Sequence, residues 1–144
     1  MDNHTVPSLV YVPMSADIIH PGHIQLLKEA QKYGKVTVGL LSDDAIKEKK
    51  GKLPVMTYGE RLEVISHLSG VADVVQQESP NYRLNLQKLK PNFVVHGDDW
   101  SDTTRESVLK TIAQWDGKLV ETDYSSRPTS STVIKKRIID QTDK

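Results

Sequence analysis

Leu9-Val10-Tyr11-Val12 leads through Pro13-Met14 into Ser15-Ala16-Asp17-Ile18-Ile19-His20-Pro21-Gly22-His23, and the amphipathic run Ile24–Tyr33 follows directly. A strand-length apolar run that hands over to a helical pattern reads as the first half of a βαβ unit. Pro21 suits the first position of the helix, where a missing N–H costs nothing. In an open α/β sheet, ligands bind outside the carboxyl ends of the strands. The unpaired N–H groups of a helix's first turn also favour an anion there. The stretch therefore predicts a phosphate site with His20 and His23 aimed into it.

The same alternation continues along the chain. Strands are expected at Leu9–Val12, Val36–Leu41, Asp73–Val75, Asn92–His96 and Leu119–Glu121. Helices are expected at Gly22–Tyr33, Gly59–Leu68, Tyr82–Leu89, Asp102–Trp115 and Ser131–Asp140. The near-continuous apolar character of Val36-Thr37-Val38-Gly39-Leu40-Leu41 suits a strand covered on both faces. Thr57-x-x-Glu60 is a capping box, with Leu62, Ile65 and Leu68 on one face behind it. Lys47–Lys52 reads as a basic loop between the second strand and the second helix. The expected fold is a single doubly wound, Rossmann-like α/β domain over residues 1–144. Its sheet is five-stranded and mainly parallel, with helices on both faces.

Composition narrows the function. The chain has 144 residues, equal numbers of basic and acidic side chains and no cysteine. Zero net charge argues against nucleic acid or an anionic membrane as partner. Without cysteine there are no disulfides, thiolate zinc sites or thiol nucleophiles, which suits a cytoplasmic protein. No apolar run approaches the roughly 20 residues of a membrane-spanning helix.

Three further segments fall at the ends of expected strands: the lysine run, Gly97-Asp98-Asp99-Trp100, and Arg127-Pro128-Thr129-Ser130-Ser131-Thr132 opening the last helix. With Asp17 they bring imidazoles, cations, carboxylates and hydroxyls to one place. That set suits phosphoryl or nucleotidyl transfer, which needs neutralised phosphate charge and reacting groups held in line. His4, His67 and His96 are read as non-catalytic. Arg61 is read as structural, pairing with a carboxylate such as Glu63 or Asp73.

These segments together resemble the nucleotidyltransferase superfamily. His20-Pro21-Gly22-His23 resembles its HxGH signature, and the likeness runs through most of the chain. It is closest to the small cytidylyltransferases typified by glycerol-3-phosphate cytidylyltransferase. Ser15-Ala16-Asp17 stands where that family has Thr-Phe-Asp. Tyr58-Gly59-Glu60-Arg61 resembles its Tyr-x-x-Arg helix start, and Gly97-Asp98-Asp99-Trp100 matches its GDDW letter for letter. Arg127 with Ser130-Ser131-Thr132 resembles its Arg…Ile-Ser-Thr-Thr segment, with about two residues fewer between them.

The resemblance implies attack of an acceptor's phosphate or phosphonate oxygen on the α-phosphorus of CTP, with Mg²⁺ as the cation. It implies His20, His23, Lys49 and Arg127 as catalytic. Ser15, Asp17, Gly22, Lys47, Gly97, Asp99, Trp100, Ser130, Ser131 and Thr132 are implied to bind CTP and its phosphates. Ala16 and Asp17 fall on the acceptor side, Asp17 also as a candidate metal ligand, and a homodimer is implied. Met14 to His23 is most similar to cytidylyltransferase domains fused to phosphoenolpyruvate mutase in phosphonate biosynthesis, as in the fosfomycin pathway. That likeness implies 2-hydroxyethylphosphonate as acceptor and a longer bifunctional chain of which this is one domain. Two alternatives stand beside it: a glycerol-3-phosphate or other phosphate-monoester cytidylyltransferase, and a non-catalytic nucleotide-binding module. An adenylyltransferase of the same superfamily is a further rival.

Overall fold

The computed structural model describes residues 8–123 and 129–142. The strands are β1 (Leu9–Met14), β2 (Lys35–Leu41), β3 (Val71–Gln77), β4 (Phe93–Gly97) and β5 (Lys118–Thr122). The helices are α1 (Pro21–Gln31), α2 (Asp43–Lys50), α3 (Tyr58–Ser66), α4 (Arg83–Leu89), α5 (Asp102–Ala113) and α6 (Ser131–Thr142). The sheet is parallel throughout, in the order β3-β2-β1-β4-β5. The doubly wound expectation holds, with every pairing parallel.

Alternation along β1 builds both cores. Val10, Val12 and Met14 face Leu26, Leu27 and Ala30 of α1 and Ile65 of α3. Tyr11 faces the other way, into a cluster with Val94, Tyr82, Leu86 of α4, and Val108 and Ile112 of α5. Each aliphatic side chain fully buried in these layers contributes about 1.5–3 kcal/mol of transfer free energy. Because β1 lies between β2 and β4, the chain winds in opposite senses on its two sides. The crevice at the carboxyl end of β1 and β4 is the topological switch point.

One expectation is overturned. Lys47–Lys50 lies not in a loop but in the second half of α2. Ser42 caps this helix, its Oγ accepting from Ala45 N at 3.1 Å. Asp43 and Asp44 occupy the first turn, Lys47, Lys49 and Lys50 the last, and Gly51 closes it at φ 80°. Charges of those signs at those ends favour the helix dipole, so a short helix with little apolar surface is still stable in place. α6 differs from the other helices in having no buried residue.

Candidate active site

The carboxyl end of β1 opens into a cavity of about 500 Å³. His20 is the N-cap of α1. Its Nδ1 accepts from Gly22 N at 3.0 Å, while His23 Nδ1 accepts from His20 N at 3.3 Å. The two histidines thus form a reciprocal capping box, a task usually given to Ser/Thr and Glu/Gln, with ring centroids 4.1 Å apart. A backbone N–H is a donor, so each Nδ1 must accept, and the ring proton sits on Nε2. Local helix physics therefore sets both the tautomer and the orientation of two rings that line the cavity.

Gly22 is required by close approach. A Cβ there would fall 2.7 Å from His20 Cε1 and 2.8 Å from the Thr129 carbonyl oxygen. The α1 start and the chain entering α6 thereby pack without a side chain between them. Ser130 Oγ accepts from Val133 N at 3.2 Å in the first turn of α6. Ser131 Oγ donates to the Ile18 carbonyl at 3.3 Å. Ser130, Ser131 and Thr132 all line the cavity.

Ser15, Ala16 and Asp17 lie on the same wall. Ala16 is buried with φ 52°, a left-handed conformation that costs a non-glycine residue about 1 kcal/mol or more. Asp17 is 4 % exposed. Its Oδ2 accepts from Val55 N at 3.0 Å and Lys135 Nζ at 2.9 Å, and its Oδ1 from Met56 N at 2.8 Å. Burial alone would raise its pKa, but the Met56 and Val55 N–H groups and Lys135 outweigh burial and hold the carboxyl below the usual carboxylate range.

Asp17, expected as a candidate metal ligand, spends three of its carboxylate's acceptor positions on Val55 N, Met56 N and Lys135 Nζ. Among the described residues no group of three or more His, Asp and Glu could hold a metal ion.

α2 presents Lys49 and Lys50 to the cavity, whereas Lys47, expected as a phosphate ligand, is not on its wall. At about 100° per residue, Lys47 points about 200° away from Lys49, and it sits about one turn earlier in α2 than Lys50. Desolvation and the neighbouring charge of Lys50 push the Lys49 ammonium below the usual lysine range, against the pull of Asp99. Lys50 is shifted the same way by desolvation and by Lys135.

The lining contributed from the β4 side is aromatic. Trp100 stacks on His96 with centroids 3.9 Å apart, and Tyr82 O–H lies 3.3 Å from His96 Nε2. Burial raises the Tyr82 hydroxyl to about 12. Trp100 Nε1 donates to Glu121 at 2.9 Å, and Glu121 also pairs with Arg105 at 2.8 Å. Gly97 and Asp99 complete this side. His96, read from sequence as lying beneath the Gly97 motif, is a wall residue, and Tyr82 and Lys50 join it as site residues that motif reading passes over. No spacing within the lysine run separates Lys50 from Lys47 on the same helix face, and only tertiary packing brings Tyr82 to His96.

Arg61 is fully buried. It donates to the carbonyls of Ser15 (2.8 Å), Leu41 (2.7 Å) and Met56 (3.1 Å) and pairs with Asp43 at 2.7 Å. The structural reading holds, with Asp43 as partner in place of Glu63 or Asp73. His67 lies at the end of α3 beside the Glu63 carbonyl, outside the cavity wall. Arg127 and His4 lie outside the described residues.

A family model described as Cytidylyltransferase-like matches residues 12–137. The chain is 36% identical over 95 residues to the Bifunctional protein HldE of Hyphomonas neptunium, which covers 65% of this chain and 19% of that protein. It is 27% identical over 135 residues to the FAD synthase of Thermoplasma acidophilum, covering 86% of this chain and 89% of that one. The chain thus spans about a fifth to a quarter of the HldE relatives and most of this FAD synthase. Among solved structures, the lipopolysaccharide core biosynthesis protein from Thermoplasma volcanium superposes with a TM-score of 0.73 at 25% identity, over 83% of this chain and 99% of that one. No helix among the described residues is long and apolar enough to cross a membrane.

Proposed function

The chain belongs to the cytidylyltransferase-like family of nucleotidyltransferases, and from that premise we propose that it transfers CMP from CTP to the phosphonate oxygen of a small phosphonate, with 2-hydroxyethylphosphonate the preferred acceptor. The acceptor oxygen forms a bond to the α-phosphorus, the α–β bridging P–O bond breaks, and pyrophosphate leaves with the electron pair. No covalent enzyme intermediate is needed. Catalysis is positioning plus neutralisation of charge on the phosphate oxygens.

The observation that supports the nucleotidyl-transfer chemistry is the reciprocal histidine cap, while CTP and the phosphonate rest on the sequence resemblance. The cap fixes Nε2–H donors on two rings at a helix N-terminus, inside a cavity shared with two lysines and the start of a second helix. His20 and His23 donate to the α-phosphate as charge builds. Lys49 and Lys50 neutralise the triphosphate. The first turn of α6, with Ser130, Ser131 and Thr132, receives the leaving pyrophosphate through N–H and O–H donors. Arg127, which the family resemblance implies as a phosphate-binding residue, adds a phosphate grip. Asp99 and Trp100 bound the nucleoside, while Ala16 leaves room on the acceptor side where a Phe would fill it. Mg²⁺ enters with the nucleotide, and the protein works as a homodimer in the cytoplasm, as one domain of a bifunctional chain.

A second reading, adenylyl transfer, is favoured by one relative's name, FAD synthase, whose product carries adenosine. Pyrophosphate release decides between them, measured with Mg²⁺ and CTP or ATP against 2-hydroxyethylphosphonate, glycerol 3-phosphate and other phosphate monoesters. Turnover with CTP and 2-hydroxyethylphosphonate, and none with glycerol 3-phosphate, is the expected result. Preference for glycerol 3-phosphate overturns the acceptor and keeps the reaction. Preference for ATP overturns the nucleotide, and silence across the panel leaves a nucleotide-binding module.

A further inference from the structure

α6 carries Ser131 and Thr132 to the cavity, yet no residue of the helix is buried. Apolar packing, which fixes most helices, is therefore a minor part of its attachment. Its polar attachments to the sheet side, among the described residues, are Ser131 Oγ to the Ile18 carbonyl at 3.3 Å and Lys135 Nζ to Asp17 at 2.9 Å. Residues 131 and 135 are one turn apart and share a helix face.

Asp17 does more than receive that lysine. It stands three residues before His20, and its carboxylate also holds Val55 N and Met56 N, in the connection that leads from α2 to α3. One carboxylate, 4 % exposed, thus joins the three segments that face the phosphates: the histidine turn, the chain behind Lys49 and Lys50, and α6. Lys135 is not itself on the cavity wall. A charge-assisted bond to so buried an acceptor is short and strong, and its geometry is defined.

We propose that Lys135 is a positioning residue: by pairing with Asp17 it sets the distance between the first turn of α6 and the lysines of α2, and so the fit of the nucleotide triphosphate. This rests on the nucleotidyl-transfer reading of the site.

The test uses the full chain and two measurements, CTP and ATP binding by calorimetry without acceptor, and backbone hydrogen exchange over residues 131–142. Lys135→Met should weaken nucleotide binding at least about tenfold, the scale of misplacing a pre-set contact. In turnover it should raise KM for the nucleotide, with KM for the acceptor and kcat within about threefold. Lys135→Arg should restore binding, since it keeps the charge. Exchange in α6 should speed up in Lys135→Met and in Asp17→Asn, and the melting temperature of Lys135→Met should fall less than that of Asp17→Asn, because the Asp17 carboxylate loses its cation but keeps the Val55 and Met56 N–H donors. Unchanged nucleotide affinity in Lys135→Met, or a loss confined to kcat, overturns the positioning role and leaves the reaction intact. If the wild-type chain binds neither CTP nor ATP, the nucleotidyl-transfer reading fails. Exchange then decides the strut separately: faster α6 exchange in Lys135→Met sustains it, and equal exchange overturns it.

Discussion

Gly22→Ala separates packing from chemistry at the site. Alanine is the better helix former, by about 0.5–1 kcal/mol at an unconstrained position, so propensity alone makes this a stabilising change. The surroundings do not permit it. The new Cβ would meet His20 Cε1 at 2.7 Å, the Thr129 carbonyl oxygen at 2.8 Å and His20 Nδ1 at 2.9 Å, all well inside van der Waals contact. One neighbour is backbone, and the other is a ring held by its own bond to Gly22 N, so neither yields freely. Overpacking of this kind costs about 1–3 kcal/mol, which leaves a net loss of stability between zero and about 2.5 kcal/mol. The larger effect falls on turnover, because the atoms that must move are the ring of His20 and the chain entering α6. A shift approaching 1 Å costs on the order of 100-fold, equivalent to about 2.7 kcal/mol of transition-state stabilisation. Steady-state pyrophosphate release and urea unfolding, run on one preparation, read both quantities. A variant that stays folded with kcat/KM within threefold of wild type would refute the claim that this close approach sets the catalytic geometry.

Five other substitutions probe further parts of the structure. His20→Ala and His23→Ala should each lower kcat by about 100- to 1000-fold, as loss of one preorganised donor does; near-native turnover in a folded variant removes that ring from the mechanism. Arg61→Met leaves three carbonyls and Asp43 without their partner and should cost about 3–5 kcal/mol in urea unfolding, a loss below 1 kcal/mol being the contrary result. The Asp17 pKa is depressed in the folded state, so its contribution to stability is present above the ordinary carboxylate pKa of about 3.9 and disappears as pH falls through the folded value. Asp17→Asn should therefore be less stable at neutral pH but flatter on the acid limb, and parallel acid limbs would contradict the assignment. Lys50→Gln removes a charge that depresses Lys49, so the alkaline fall in CTP affinity should move to higher pH; an unmoved limb would show that Lys49 does not carry the titration.

The sequence made the sheet legible because each strand is an apolar run bounded by helical periodicity, and Val36–Leu41 falls inside β2 as expected. It made the geometry of the histidine turn legible because His20 and His23 are tied to a helix start, where local rules fix it. α2 was missed because Ala45 and Ile46 are its only buried residues, too few to show a period. Its signal lay in Ser42, the acidic first turn, the basic last turn and Gly51. The contacts Asp17–Lys135, 118 residues apart, and Tyr82–His96 are tertiary, and no local pattern announces them. Arg61 was readable as structural, but its partner Asp43 depends on α2 being a helix.

The order of the strands also bears on how the protein reaches its working form. β1 meets β2 across one helix, but it meets β4 only when Leu9 finds Asn92, a bond between residues 83 apart. Closing a loop of that size carries a length-dependent entropy cost of about 4 kcal/mol, repaid only when the pairing is complete. Non-local parallel pairings of this kind are slow steps in folding. The cavity straddles that seam, with the histidine turn after β1 on one side and Gly97 at the end of β4 on the other. Nucleotide binding is thus expected to appear late in refolding, after much of the helix signal has returned, and a ligand present at that moment favours closure of the seam by mass action.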